Sequence, residues 1–101
     1  FVRGIIFGAT HEKALEQFNK IVDNYQTLYD QDVIAHISVG NGRAEVTFTN
    51  GDYWRTAIAS DSAHGLACNI AYIDIDIDPL TIETIIKPTM KFRPFTAYNF
   101  Y

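Results

Sequence analysis

The sequence predicts an α/β (or α+β) fold, with a single mixed β-sheet of about five strands and one long and one short helix packed on it. Three observations predict it. Apolar residues recur at helical spacing from about His11 to Tyr29, several short β-prone segments are separated by Gly- and Asn-containing turns, and Asp78-Pro79 opens a second helical stretch.

Val2 to Phe7 is a short apolar run that Gly8, Ala9 and Thr10 close, so it reads as a buried strand ending in a turn. Thr10 can cap the helix that follows. Glu12 suits its first turn, and Ala14, Leu15, Phe18, Ile21, Val22, Tyr25, Leu28 and Tyr29 form its apolar stripe. Val33 to Val39 alternates, and Gly40-Asn41-Gly42 supplies residues that tolerate positive φ for a hairpin. Ala44 to Thr49 alternates again before Asn50-Gly51 and pairs in this reading with a strand over Tyr53 to Ala59. Ser60 to Asn69 reads as a loop, and Ile70 to Ile77 as a central strand. Asp78 is then an N-cap with Pro79 at the first helical position, and the short helix stops near Pro88. From about residue 89 the chain reads as an irregular aromatic tail.

With 101 residues, 48% hydrophobic and 14% aromatic, the composition is that of one packed domain and not of a disordered tail. The net charge of −4 argues against strong non-specific nucleic-acid binding, which phosphate neutralisation by Lys and Arg carries. No apolar run approaches the roughly 18 residues that suggest a membrane span, and Phe1-Val2-Arg3-Gly4 lacks a signal-peptide layout. A lone Cys68 cannot form an internal disulfide. A cytoplasmic location and no membrane partner are therefore expected.

The conspicuous chemistry lies in Tyr72-Ile73-Asp74-Ile75-Asp76-Ile77-Asp78. If this is all strand, three carboxylates share one face and three isoleucines the other, and the carboxylates raise one another's proton affinity unless a cation compensates. Asp74 and Asp76 would suit Mg²⁺ or Mn²⁺, as in a metal-dependent nuclease or phosphotransferase that draws in Asp61 or Asp78. The plainer alternative has the isoleucines facing the core, Asp74 and Asp76 facing water, and Asp78 capping the next helix. His11, His36 and His64 show no ligand spacing, and Ser60, Asp61, Ser62 and His64 lack the arrangement of a nucleophile elbow. Cys68 reads as a small packing residue. Phe92, Arg93, Phe95 and Tyr98 interleave rings with a cation, which suits docking of a partner or, equally simply, covering of the sheet.

Ala44-Glu45-Val46-Thr47-Phe48-Thr49-Asn50-Gly51, then Ser60-Asp61-Ser62-Ala63-His64-Gly65-Leu66, then Ile70-Ala71-Tyr72-Ile73-Asp74, resemble in order the ATPase core of viral large terminases. Gly4 to Thr10 and the following helix look like the strand and helix after that family's phosphate-binding loop. The resemblance spans about residues 3 to 88 and implies that Asp74 matches the Mg²⁺ carboxylate of the Walker B strand. Three features depart from it. No Gly-x-x-x-x-Gly-Lys-Ser/Thr occurs, so the cradle and lysine for the β- and γ-phosphates are missing, and Ile75 stands where the family has a second acidic residue. His64-Gly65 also replaces Arg-Gly. The expectation is a terminase-like fragment or degenerate relative of a phage DNA-packaging ATPase, without autonomous ATP hydrolysis. It would act as a binding or regulatory module through a protein partner or self-association, and meet nucleic acid only within a larger assembly. The alternatives are the small metal enzyme and a viral interaction protein with no active site.

Overall fold

A computed structural model describes residues 1–40, 42–60, 63 and 65–101. Its one mixed sheet has six strands in the order β2 (Ile34–Gly40), β3 (Arg43–Phe48), β4 (Tyr53–Ile58), β1 (Arg3–Gly8), β5 (Ile70–Asp74) and β6 (Thr96–Phe100). The central strand β1 lies parallel to β4 on one side and to β5 on the other. Five consecutive residues of β1 are buried, as expected for a parallel strand covered on both faces. β2 and β3 form an antiparallel hairpin, and β3 pairs antiparallel with β4.

The long helix α1 (His11–Leu28) forms where the sequence places it, one residue shorter at its end. Thr10 Oγ1 caps it by accepting from the Lys13 amide at 3.3 Å. Its buried residues Ala14, Phe18, Ile21 and Val22 lie on one stripe and pack against Ile6, Val46, Phe48 and Trp54. Ile5 and Phe7 point to the other face, where they meet Ala57, Cys68, Ala71, Ile73 and Ile86. The alternation of β1 thus feeds two cores. Asp52, in the β3–β4 turn, ties the edge of the first core together. Its carboxylate accepts from the Val2 amide at 2.9 Å and from the Tyr25 hydroxyl at 2.7 Å, while Trp54 Nε1 donates to the Tyr25 oxygen at 3.2 Å. Burial, with the Asp52 carboxylate alongside and against the Trp54 hydrogen bond, pushes Tyr25 up to about 12.

Gly51 takes φ +95° in the β3–β4 turn, the conformation that the Asn-Gly pair anticipates. Asn41 of the first hairpin turn lies outside the described residues.

The structure corrects the sequence reading in two places. β5 ends at Asp74 instead of running to Ile77. There Asp74 Oδ1 accepts from the Asp76 amide at 3.0 Å and the Asp74 carbonyl from the Ile77 amide at 3.1 Å, so a side-chain-closed turn wins over the β propensity of the isoleucines. The three carboxylates therefore do not share a strand face. Ile75 is exposed while Ile77 is buried.

The second correction concerns the tail. Thr96–Phe100 forms a sixth strand, β6, parallel to β5 with Ile70 opposite Thr96 and Asp74 opposite Phe100. Its alternate residues Tyr98 and Phe100 turn toward the α1 side of the sheet, where Tyr98 lies against Tyr72 and Phe100 joins the core. Between β5 and β6 runs α2 (Pro79–Thr81), which continues through a π-helical turn (Ile82–Ile86) and a 3₁₀ turn (Lys87–Thr89). Asp78 caps α2 as expected, Oδ1 accepting from the Thr81 amide at 2.7 Å. Among the described residues no helix is long and apolar enough to cross a membrane.

Candidate functional site

The carboxyl ends of β1, β4 and β5 meet at one edge of the sheet, the place where open α/β sheets bind ligands. Asp74 is the last residue of β5 and is fully buried. Chain elements from three places hold its carboxylate. Oδ2 accepts from the Ala9 amide at 2.8 Å, and Oδ1 accepts from the Asp76 amide and from Lys13 Nζ at 2.6 Å. Lys13 also bridges to Asp76 Oδ2 at 2.7 Å, on a carboxylate that is largely exposed.

Local sequence explains each placement. Gly8 lets the chain turn tightly out of β1: a Cβ there would sit 2.4 Å from the Thr10 carbonyl oxygen and 2.8 Å from Ala14 Cβ. That turn presents the Ala9 amide to the neighbouring strand end. Lys13 stands in the first turn of α1 and reaches back over the same strand ends. The sequence reading did not find Lys13. Its only sequence signal is a cation in the first turn of a helix whose preceding strand lies beside a strand ending in Asp.

Burial alone would push Asp74 up, but the Asp76 amide, the Lys13 ammonium and the Ala9 amide together outweigh it and hold the carboxyl below its usual range. Lys13 is pushed up, first by its hydrogen bond to Asp74 and then by that to Asp76. Both groups are thus charged at neutral pH, and the ammonium supplies the cation that clustered carboxylates call for. Asp76 faces water, as the plainer sequence reading expects, with Lys13 bridging it to Asp74. Asp74 does not face water at all.

A divalent cation does not fit this arrangement as it stands. Both oxygens of Asp74 are engaged, and the ion would have to displace Lys13. Among the described residues no group of three or more His, Cys, Asp or Glu is placed to hold a metal. The adjoining cleft, between Gly8, Ala9, Ile58, Ala59 and the Asp76–Asp78 turn, encloses about 160 Å³.

The other candidates separate. Asp61, Ser62 and His64 lie outside the described residues, so the hydrolase-like loop and the His64-Gly65 match are not placed. His36 lies on the exposed edge strand β2 and His11 opens α1. Cys68 is buried with Sγ 3.7 Å from Thr89 Oγ1, and burial pushes its thiol up, away from reactivity. Phe92, Phe95 and Tyr98 are each nearly half exposed, Arg93 stacks 5.8 Å from the Phe95 ring centre, and Tyr98 lies 5.2 Å from Tyr72. The structure does not gather them into one patch: Phe92 lies beside Arg3, Tyr53 and Arg55, Phe95 beside Ile73 and Ile82, and Tyr98 on the opposite face of the sheet beside Tyr25 and Tyr72.

The fold is similar to that of a solved phage protein. The Thermus phage P74-26 large terminase ATPase domain superposes with a TM-score of 0.64 at 17% identity, over 95% of this chain and 45% of that one. An arginine-to-alanine mutant of the same domain gives 0.61 at 14% identity, over 95% of this chain and 46% of that one. The chain thus spans less than half the length of the solved chains it matches. No family model matches the chain, and no curated protein matches it.

Proposed function

We propose that the chain is a terminase-like unit that acts as a protein-binding or regulatory module and does not hydrolyse ATP on its own. One observation carries this reading: the Asp74 carboxylate, at the position where the resemblance implies a Mg²⁺ ligand, is engaged at both oxygens by donors of its own chain, one of them the Lys13 ammonium. The sequence departures point the same way. Without the phosphate-cradling loop and its lysine, nothing in the chain corresponds to the groups that position and neutralise a transferring γ-phosphoryl. Ile75 cannot act as a base toward water. The net charge of −4 leaves contact with DNA to a larger assembly, which for a virus-encoded chain would form in the host cytoplasm.

Phosphate release from Mg·ATP by the purified chain tests the reading. Rates are expected to equal those of buffer and of the Asp74→Asn variant. Turnover above buffer that Asp74→Asn abolishes would overturn it.

A further inference from the structure

The two edges of the sheet are not equivalent. β2 carries a register irregularity between Ile34 and His36, a bulge of the kind that discourages further pairing. β6 runs in unbroken register along β5, and Thr96-Ala97-Tyr98-Asn99-Phe100 contains no charge and no proline. Strand edges with none of these safeguards are templates for another strand.

The hydrogen bonding of β6 fixes which groups are offered. The Thr96 amide donates to the Asn69 carbonyl at 2.9 Å and the Phe100 carbonyl accepts from Ile75 at 2.8 Å, so alternate residues of β6 bond inward. The backbone N–H and C=O of Ala97 and Asn99 therefore point outward. Under a two-fold axis at Tyr98, Ala97 of one chain meets Asn99 of the other, and the two exchange both bonds as an antiparallel pair requires. The pattern is self-complementary.

We propose that β6 pairs antiparallel with β6 of a second copy of this chain, making one continuous sheet across the two-fold axis. Tyr98, 49% exposed in the single chain, then faces its own copy across the axis, flanked by Tyr72. Charge supports the same orientation. The exposed Lys91 and Arg93 precede β6, while the exposed Asp76 and Asp78 lie beyond its far end, so antiparallel pairing sets the basic end of one copy toward the acidic end of the other. A contact of one short strand belongs to the small, weak class of interfaces, with dissociation constants in roughly the micromolar to millimolar range. This inference names the partner within the binding-module reading and rests on it.

Analytical ultracentrifugation from about 1 µM to about 1 mM, the range set by that interface class, tests it. The mass is expected to rise from 11.4 kDa toward twice that value. Asn99→Pro removes an outward N–H without touching the β5 ladder, and Tyr98→Lys sets like charges across the axis. Each is expected to weaken the dimer more than about tenfold, the equivalent of 1.4 kcal/mol. Circular dichroism checks that each variant folds, and Tyr98→Lys decides should Asn99→Pro unfold the chain. Tyr98→Cys is expected to cross-link on oxidation, and Thr96→Cys, off the axis, to remain unlinked. A chain monomeric throughout the range, or a dimer indifferent to Tyr98→Lys, would overturn the inference. If that chain also released no phosphate from ATP, the functional reading would stand and the edge would belong to a different polypeptide.

Discussion

Asp74→Ala is expected to destabilise the fold by about 3 kcal/mol, read as a lower midpoint in urea with an unchanged slope. The substitution removes the acceptor for the Ala9 and Asp76 amides and for Lys13 Nζ at once. Each donor left unpaired near a buried strand end costs about 1 kcal/mol or more. Lys13→Met, which leaves the carboxylate its two amide donors, is expected to cost less than Asp74→Ala, because the lysine side chain is 29% exposed and water can replace part of it. Acid should act through the same group. The folded-state pKa of Asp74 lies below its unfolded value near 3.8, so its contribution is complete above that value and is lost as pH falls through the lower, folded pKa. In Asp74→Asn this part of the acid dependence should disappear. A wild-type and Asn variant with parallel stability curves below pH 4 would contradict the assignment.

Gly4→Ala should cost about as much, about 3 kcal/mol, for a steric reason. A Cβ on Gly4 would lie 2.1 Å from Trp54 Cε3, far inside van der Waals contact. Neither side can retreat. β1 is bonded to strands on both sides, with Gly4 opposite both Trp54 and Ile70, and Trp54 is buried against Tyr72 with its Nε1 held by Tyr25. The loss corresponds to a fall of more than about 10 °C in melting temperature for a domain of this size. Combining Gly4→Ala with Trp54→Leu should recover part of it, because the smaller side chain vacates the space that the methyl needs. Equal or additive losses would contradict the packing account.

Much of this fold is legible in the sequence because its patterns are local. The stripe Ala14, Phe18, Ile21, Val22 on α1, the Thr10 and Asp78 caps and the turn at Gly51 each follow from a few neighbouring residues. The candidate site is legible only in part. Asp74 and Asp76 stand out in sequence, yet the strand run over Ile75 and Ile77 hides a turn that only the Asp74 side chain closes. Lys13 reads as an ordinary surface cation, because its partner is 61 residues away. Gly4 looks like any residue of a buried strand until Trp54 is laid across it from the neighbouring strand. β6 escapes because Pro88 and Pro94 mark the tail as irregular, and its pairing with β5 depends on a crossover that no local pattern reveals.

Equilibrium unfolding of the chain with Mg²⁺, Mn²⁺ or Mg·ATP tests most directly whether Asp74 is closed to external ligands. A ligand bound to the folded state at a hundred times its dissociation constant adds about 2.7 kcal/mol. The Lys13–Asp74–Asp76 arrangement leaves no place for one, so none of the three is expected to shift the midpoint. Stabilisation of that size by Mg·ATP, or by Mn²⁺ alone and lost in Asp74→Asn, would contradict the account and assign the carboxylates to nucleotide or metal chemistry.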